Sequence, residues 1–367
     1  MASNKELGST AVCSPGDFQS LMQQLNELKE ATRVERSRTN DCNLDMLSQD
    51  VEPLPPSAPV LFMKCRKTLK CTEEVFHIAW SPDKVHVVTG GQGGFAVIWD
   101  AFLGQKEYMI QTTSPWVTAC SYAPSTTMVV CGGLDSQCSV YRVEGYRENS
   151  GATVTISEPI KRLASHEKYI THCMFLGSDQ QILTSSADCT CALWDVERDS
   201  PVRTFKGHRM EVAGLSVHPK DPFTVFATGS YDRCACLWDV RSGRCAKRFD
   251  QHESDVNAVR FLPTGDALGT TTNDGGVHLF DLRADQEIRS YTKPSIICGA
   301  AALDFSKSGR ILFAAYDDHS IRAWDVVKGT QLFVLLSHQG RISHIELSPD
   351  GTALASSSWD GTTRVWA

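Results

Sequence analysis

The sequence predicts an all-β fold, a seven-bladed β-propeller preceded by an N-terminal coiled-coil-type α-helix, and three observations predict it. Aromatic residues recur at positions 99, 141, 194, 238, 280, 324 and 366, at intervals of 42, 53, 44, 42, 44 and 42 residues. Short apolar runs separated by turn signals within a period near 42 are the mark of a four-stranded blade. Asp135, Asp188, Asp232, Asp274, Asp318 and Asp360 each stand six residues before their aromatic. His166, His208, His252 and His338 precede theirs by 28 or 30 residues.

Taken in chain order, residues 1–60 form an arm outside the repeat. Ser14-Pro15-Gly16-Asp17 reads as a helix start, with a serine cap, proline in the first turn and an early acid. Phe18, Leu21, Leu25 and Leu28 follow in steps of three, four and three, an a/d seam. A helix over 17–38 would span about 33 Å at about 1.5 Å per residue. Two heptads of seam are too short to be stable alone. The periodicity leaves three covers open: the propeller wall, a second copy, or a partner helix. Leu44, Leu47, Val51 and Leu54 make a second short stripe that Pro53, Pro55, Pro56 and Pro59 end.

The propeller is expected over 61–367. Trp99-Asp100, Trp194-Asp195, Trp238-Asp239 and Trp324-Asp325 repeat one dipeptide, and Phe280-Asp281 is a conservative version. The long second interval matches the polar stretch Glu144–Thr153, read as a surface loop. Ser81-Pro82-Asp83 and Pro263-Thr264-Gly265-Asp266 are turn signals between strands. The last unit stops at its aromatic strand, so the strand-like segment Leu61–Leu69 is expected to supply the missing outer strand and seal the ring. Its deletion should open the ring.

Composition bounds the function. The chain has 367 residues, 36 basic and 43 acidic side chains and a net charge of −7, so no excess of positive charge steers it to nucleic acid or anionic lipid. No apolar run approaches the length of a membrane span, and neither a signal peptide nor a lipidation motif is present, so a soluble intracellular chain is expected. The fourteen cysteines include Cys189-x-Cys191 and Cys234-x-Cys236, a spacing that on a strand puts both thiols on one face. No second matching pair completes a zinc quartet, so reduced core thiols and no structural disulfide are expected.

These marks resemble WD40 repeats over roughly 61–367. In such blades the histidine, a strand hydroxyl, the turn aspartate and the tryptophan form one hydrogen-bonded network, so the repeated His and Asp residues are fold glue rather than catalytic dyads. Longer stretches carry a sharper resemblance. They include Cys131-Gly132-Gly133-Leu134-Asp135, Cys191-Ala192-Leu193-Trp194-Asp195, His252-Glu253-Ser254-Asp255, Asp281-Leu282-Arg283-Ala284-Asp285 and Ser295-Ile296-Ile297-Cys298-Gly299. With them the chain resembles the β subunit of heterotrimeric G proteins. Its closing SPDGTALASSSWDGTTRVWA is most similar to the divergent fifth β class, which pairs with RGS proteins through a γ-like domain.

The resemblance implies that Phe18, Leu21, Leu25 and Leu28 pair with a γ or γ-like helix. It implies that one propeller face, including Phe76, Trp116, Leu134, Tyr169, Asp255, Asn273, Asp317, Arg341 and Trp359, binds Gα and effectors in turn. Attachment to the inner face of the plasma membrane would come through those partners, from the cytoplasm. In an RGS complex the chain would support Gα GTP hydrolysis without catalytic residues of its own. The alternatives are a WD40 adaptor for unrelated partners and, from another class, a propeller enzyme or metal-binding protein.

Some positions depart from the family pattern. Gly93 replaces the first turn aspartate and Cys71 stands where a Gly-His pair is expected, which should make blade 1 the softest of the seven. Glu74 reverses a usual lysine, and Thr118 and Ala213 replace larger apolar residues on the same face. No catalytic, cofactor-binding or metal-ligating set is expected. Gly90-Gly91-Gln92-Gly93-Gly94 lies between strands with no following Lys-Ser/Thr, a hairpin turn and not a phosphate loop. Asp318-His319-Ser320 holds triad residue types, but adjacency in sequence makes no nucleophile–base geometry.

Overall fold

The strands of each repeat differ in pattern because they differ in depth. Middle strands such as Gln181–Ser186 and Val225–Ser230 are covered on both faces and read as apolar residues followed by small or hydroxyl residues. Outer strands such as Gln331–Leu336 and Cys65–Lys70 alternate exposed and covered residues, the pattern of a half-buried strand. The computed structural model describes residues 63–143, 153–198 and 200–367. The arm, with Phe18, Leu21, Leu25 and Leu28, lies outside the described residues, as does most of the Glu144–Thr153 stretch.

Among the described residues the strands form seven sheets, six of four strands and one of five, blades 1 to 7 in the order of their inner strands, which begin at Val75, Val117, Ile170, Val212, Val256, Ala300 and Ile342. Cys65–Lys70 pairs with Thr362–Trp366, running Cys65 against Trp366 and Lys70 against Thr362. The first described strand of the chain thus completes the seventh blade. Its Leu69 packs with Ile78, Trp80 and Trp99 of blade 1 and with Val365 of blade 7. In blade 1, Val154–Ile156 adds a fifth strand parallel to Lys106–Gln111, an element that no sequence period announces.

Seven hydrophobic clusters hold the ring, and each spans two neighbouring blades. One joins Val88, Ile98 and Ile110 of blade 1 to Val117, Val129 and Tyr141 of blade 2. Another joins Leu183 and Phe205 of blade 3 to Leu215, Phe226 and Trp238 of blade 4. A single blade therefore has no complete core of its own, as expected of a repeat architecture.

Each inner strand carries a register shift around its second residue, at Phe76, Thr118, Thr171, Ala213, Asn257, Ala301 and Ser343. Such a bulge turns one residue out of the ladder, and several of these side chains reach the next blade. Thr118 donates to the Ile170 carbonyl at 2.5 Å, Thr171 to Val212 at 2.6 Å, Asn257 to Ala300 at 2.9 Å and Ser343 to Val75 at 2.7 Å.

Candidate interaction face

The turn network is complete in blades 3, 4 and 7. In blade 3, Trp194 Nε1 donates to Thr184 Oγ1 at 2.9 Å, that hydroxyl meets His166 Nε2 at 2.8 Å, and His166 Nδ1 meets Asp188 at 2.8 Å. Since indole only donates and a carboxylate only accepts, a singly protonated imidazole between them sets the proton order as Trp to Thr to His to Asp. Trp238, Thr228, His208 and Asp232 repeat it, as do Trp366, Ser356, His338 and Asp360.

The other blades depart in instructive ways. In blade 5, His252 reaches Thr270 at 2.9 Å but leaves Nδ1 buried without a partner, and Asp274 binds the Thr272 hydroxyl and the Gly276 amide instead. Asp135 and Asp318 hold the amides of Gln137 and Ser320, the ordinary turn role. Asp318 also binds the Ser320 hydroxyl and Arg322, so it orients a turn and no nucleophile. Blade 1 keeps the Trp99 to Thr89 bond at 2.9 Å, but its His–Asp pair is His86 with Asp83 at 2.7 Å, at the start of the strand His86–Gly91 and not at the Gly93 turn.

Two local readings are corrected. Cys189 lies in a turn at φ 69°, before the strand that holds buried Cys191, so these two thiols do not share a strand face. The turn conformation wins because the residue after each turn aspartate is left-handed: Ser136, Cys189, Arg233, Gly275, His319 and Gly361. The glycine cluster is only partly a turn. Gly90 and Gly91 end the strand His86–Gly91, where a Cβ at Gly91 would collide with the Glu74 carbonyl oxygen, while Gly93 and Gly94 make the turn at positive φ.

These turns set one end of the blades. The residue before each turn aspartate donates its amide to the carbonyl of the residue just ahead of the inner strand: Leu134 to Trp116, Asn273 to Asp255, Asp317 to Gly299 and Trp359 to Arg341. Ala187 donates to Tyr169, Tyr231 to Glu211 and, in blade 1, Gln92 to Glu74. All nine expected face residues therefore belong to this rim or, for Phe76, to the bulge beside it.

Their side chains converge. Phe76 lies 5.3 Å from Trp116 and 6.4 Å from Trp359, ring centre to centre, the latter edge-on. Arg341 sits 5.2 Å over the Trp359 ring and pairs with Asp317 at 2.7 Å. Tyr169 donates to Glu211 at 2.8 Å; burial and the neighbouring Glu211 carboxylate push its phenol above the usual range. Trp116, Leu134 and Trp359 are about two-fifths exposed, at 38%, 38% and 43%. Apolar surface rimmed by charge is a character that interaction sites share.

Phe76, Tyr169, Glu211, Tyr231, Arg341 and Trp359 also border a cavity of about 250 Å³ at the channel mouth, where Thr118 and Ala213 stand as bulge residues. Asp255 and Asn273 lie on the rim but not at this cavity. Glu211 and Tyr231 were missed in the sequence, although they hold the same repeat offsets as Trp116 and Leu134.

Comparison with known proteins agrees with this architecture. The family model described as a G protein beta WD-40 repeat protein matches residues 16–367. The chain is 42% identical over 329 residues to the guanine nucleotide-binding protein subunit beta-5b of Danio rerio, covering 89% of this chain and 81% of that one. It is 33% identical over 361 residues to the guanine nucleotide-binding protein subunit beta of Solanum tuberosum, covering 94% of each. A β-1 subunit of Nicotiana tabacum matches equally, at 33% over 361 residues. With the seven closed blades and this coverage, the chain belongs to the G protein β WD40 family.

Proposed function

We propose that this G protein β scaffold works by competitive occupancy of its rimmed propeller face, where Gα and effectors bind in turn, while its N-terminal arm pairs with a γ or γ-like helix. The observation that carries this reading is the convergence of Phe76, Trp116, Arg341 and Trp359 into one partly exposed aromatic cluster with a paired cation. Aromatics and arginine in such a setting are the residue types that dominate binding energy at interfaces. The likeness to a beta-5b subunit supports a γ-like domain of an RGS protein as the arm's partner. Glu74, half-buried on the same rim, supports a partner set different from that of an ordinary β subunit. Membrane attachment at the inner face then comes through the partners. No helix among the described residues is long and apolar enough to cross a membrane.

The test is co-expression with a conventional γ subunit and, separately, with an RGS protein carrying a γ-like domain, followed by gel filtration. A stoichiometric dimer with the RGS protein alone supports this reading and a role in terminating Gα signals. A dimer with γ alone makes the chain an ordinary heterotrimer subunit, and no dimer with either overturns the pairing.

A further inference from the structure

The third residues of the seven inner strands are His77, Ala119, His172, Gly214, Ala258, Ala302 and His344. Each follows its strand's bulge, so all seven hold equivalent positions around the axis. Three are histidines and four are alanine or glycine. Gly214, Ala258 and Ala302 border one small cavity together with the three histidines.

The imidazoles meet there. The rings of His77 and His344 stack at 4.0 Å between centres, and His172 stands 5.2 Å from the first and 6.0 Å from the second. One nitrogen of each ring lies within 4.8 Å of one on each of the others. Those distances are close to what a metal needs: four-coordinate zinc at about 2.0–2.1 Å sets its ligand nitrogens about 3.3 Å apart. To aim both in-plane lone pairs at one ion, His77 and His344 would turn out of their stacked arrangement.

The hydrogen bonding points the same way. His344 Nδ1 lies 3.1 Å from the Ile78 carbonyl, which only accepts, so the proton sits on Nδ1 and the Nε2 lone pair is free. A carbonyl that fixes the second nitrogen is the usual support of a metal-ligating histidine. His77 Nδ1 lies 3.7 Å from Cys120 Sγ, while its Nε2 and His172 Nδ1 are buried without hydrogen-bond partners. Unpaired buried nitrogens of this kind call for an occupant.

We propose that His77, His172 and His344 form a three-imidazole site for a divalent late transition-metal ion, zinc foremost, in the central channel beneath the partner face. Imidazole donors suit zinc, copper and nickel and not calcium or magnesium. A fourth position stays open toward a small cavity of about 30 Å³ bordered by the three histidines, Cys120, Arg260 and Glu346. Arg260 there is paired with Asp304 at 3.8 Å and Glu346 at 3.5 Å. The larger mouth, which His77, His172 and His344 also border, supplies the way in. The ion would tie blades 1, 3 and 7 across the axis, directly under Phe76 and Ser343.

The test uses the full chain, purified without a histidine tag and stripped with chelator. Equilibrium dialysis against Zn²⁺ with elemental analysis should give one ion per chain, and Co²⁺ should give the visible absorption of a four-coordinate, nitrogen-rich site. His172→Ala and His344→Ala should lose both signals, and Zn²⁺ should raise the melting midpoint of wild type but of neither variant. Both variants are expected to fold, since alanine already occupies the equivalent positions 119, 258 and 302. A folded wild-type chain that takes up no stoichiometric ion overturns the proposal on its own. Variants that bind as wild type does place the ion elsewhere and overturn it equally.

Discussion

Thr184 shows how much one hydroxyl carries in this fold. It joins buried Trp194 to half-buried His166, so Thr184→Val leaves an indole N–H and an imidazole nitrogen unpaired. The expected loss is about 2–6 kcal/mol, from about 1–3 for each of the two stranded groups, read by urea unfolding. The residue after a turn aspartate works oppositely. Arg233 is left-handed at φ 64°, a conformation that costs a side-chain-bearing residue roughly 1–2 kcal/mol. Arg233→Gly should stabilise by up to about 1 kcal/mol once glycine's greater chain entropy is subtracted, and a lower urea midpoint would contradict this.

Titration also belongs to single residues. Burial pushes His252 down to about 4, with the nearby His278 adding to it and Glu287 and Asp274 opposing it. The unfolded residue titrates near 6.5, so the unfolded chain binds more protons between about 6.5 and 4, and stability is lost as pH falls through that window. Burial would raise Asp360, but the Thr362 hydroxyl, the Gln339 amide and His338 hold it at about 2. Its contribution is present above about 4 and is lost as pH falls from there to about 2. Stability measured against pH should therefore decline in two steps, and His252→Gln should flatten the upper one relative to wild type.

At the scale of elements, the closing strand is the weak link with the largest lever. Leu69 is buried to 1% exposure between blades 1 and 7. Leu69→Ala should cost about 2–5 kcal/mol, more than its place on an outer strand would imply, because the cavity opens at the ring's seam. Blade 1 lacks the His–Asp link that blades 3, 4 and 7 carry, and Thr89 with Trp99 is what remains. Hydrogen exchange should accordingly be faster in the 91–95 turn than in the 230–234 turn. Equal protection would assign the tightness of blade 1 to its added strand, Val154–Ile156, instead.

At the scale of the molecule, the aromatic cluster is a surface feature and the seven clusters are the core. Trp359→Ala should therefore weaken Gα binding about 30-fold, the effect of a roughly 2 kcal/mol hot spot, while leaving the melting midpoint unchanged. Titration of the dimer with Gα checks the first and calorimetry the second. Loss of stability in step with affinity would make Trp359 a packing residue.

The repeat marks made the blade count, the turn positions and most of the rim legible, because each mark serves a local need that recurs with the period: a turn aspartate for amides, a hydroxyl for an indole. The fifth strand of blade 1 escaped, since three residues in parallel pairing leave no periodic trace. The position of Cys189 escaped too, because turn geometry overrode strand spacing. The sequence by itself determined that seven like units follow one another and which offsets face which end. Only the closed ring decided which offsets meet. His77, His172 and His344 are 95 and 172 residues apart in the chain, yet closure brings equivalent positions to one axis, where small residues on the other blades leave the three imidazoles within reach of one another.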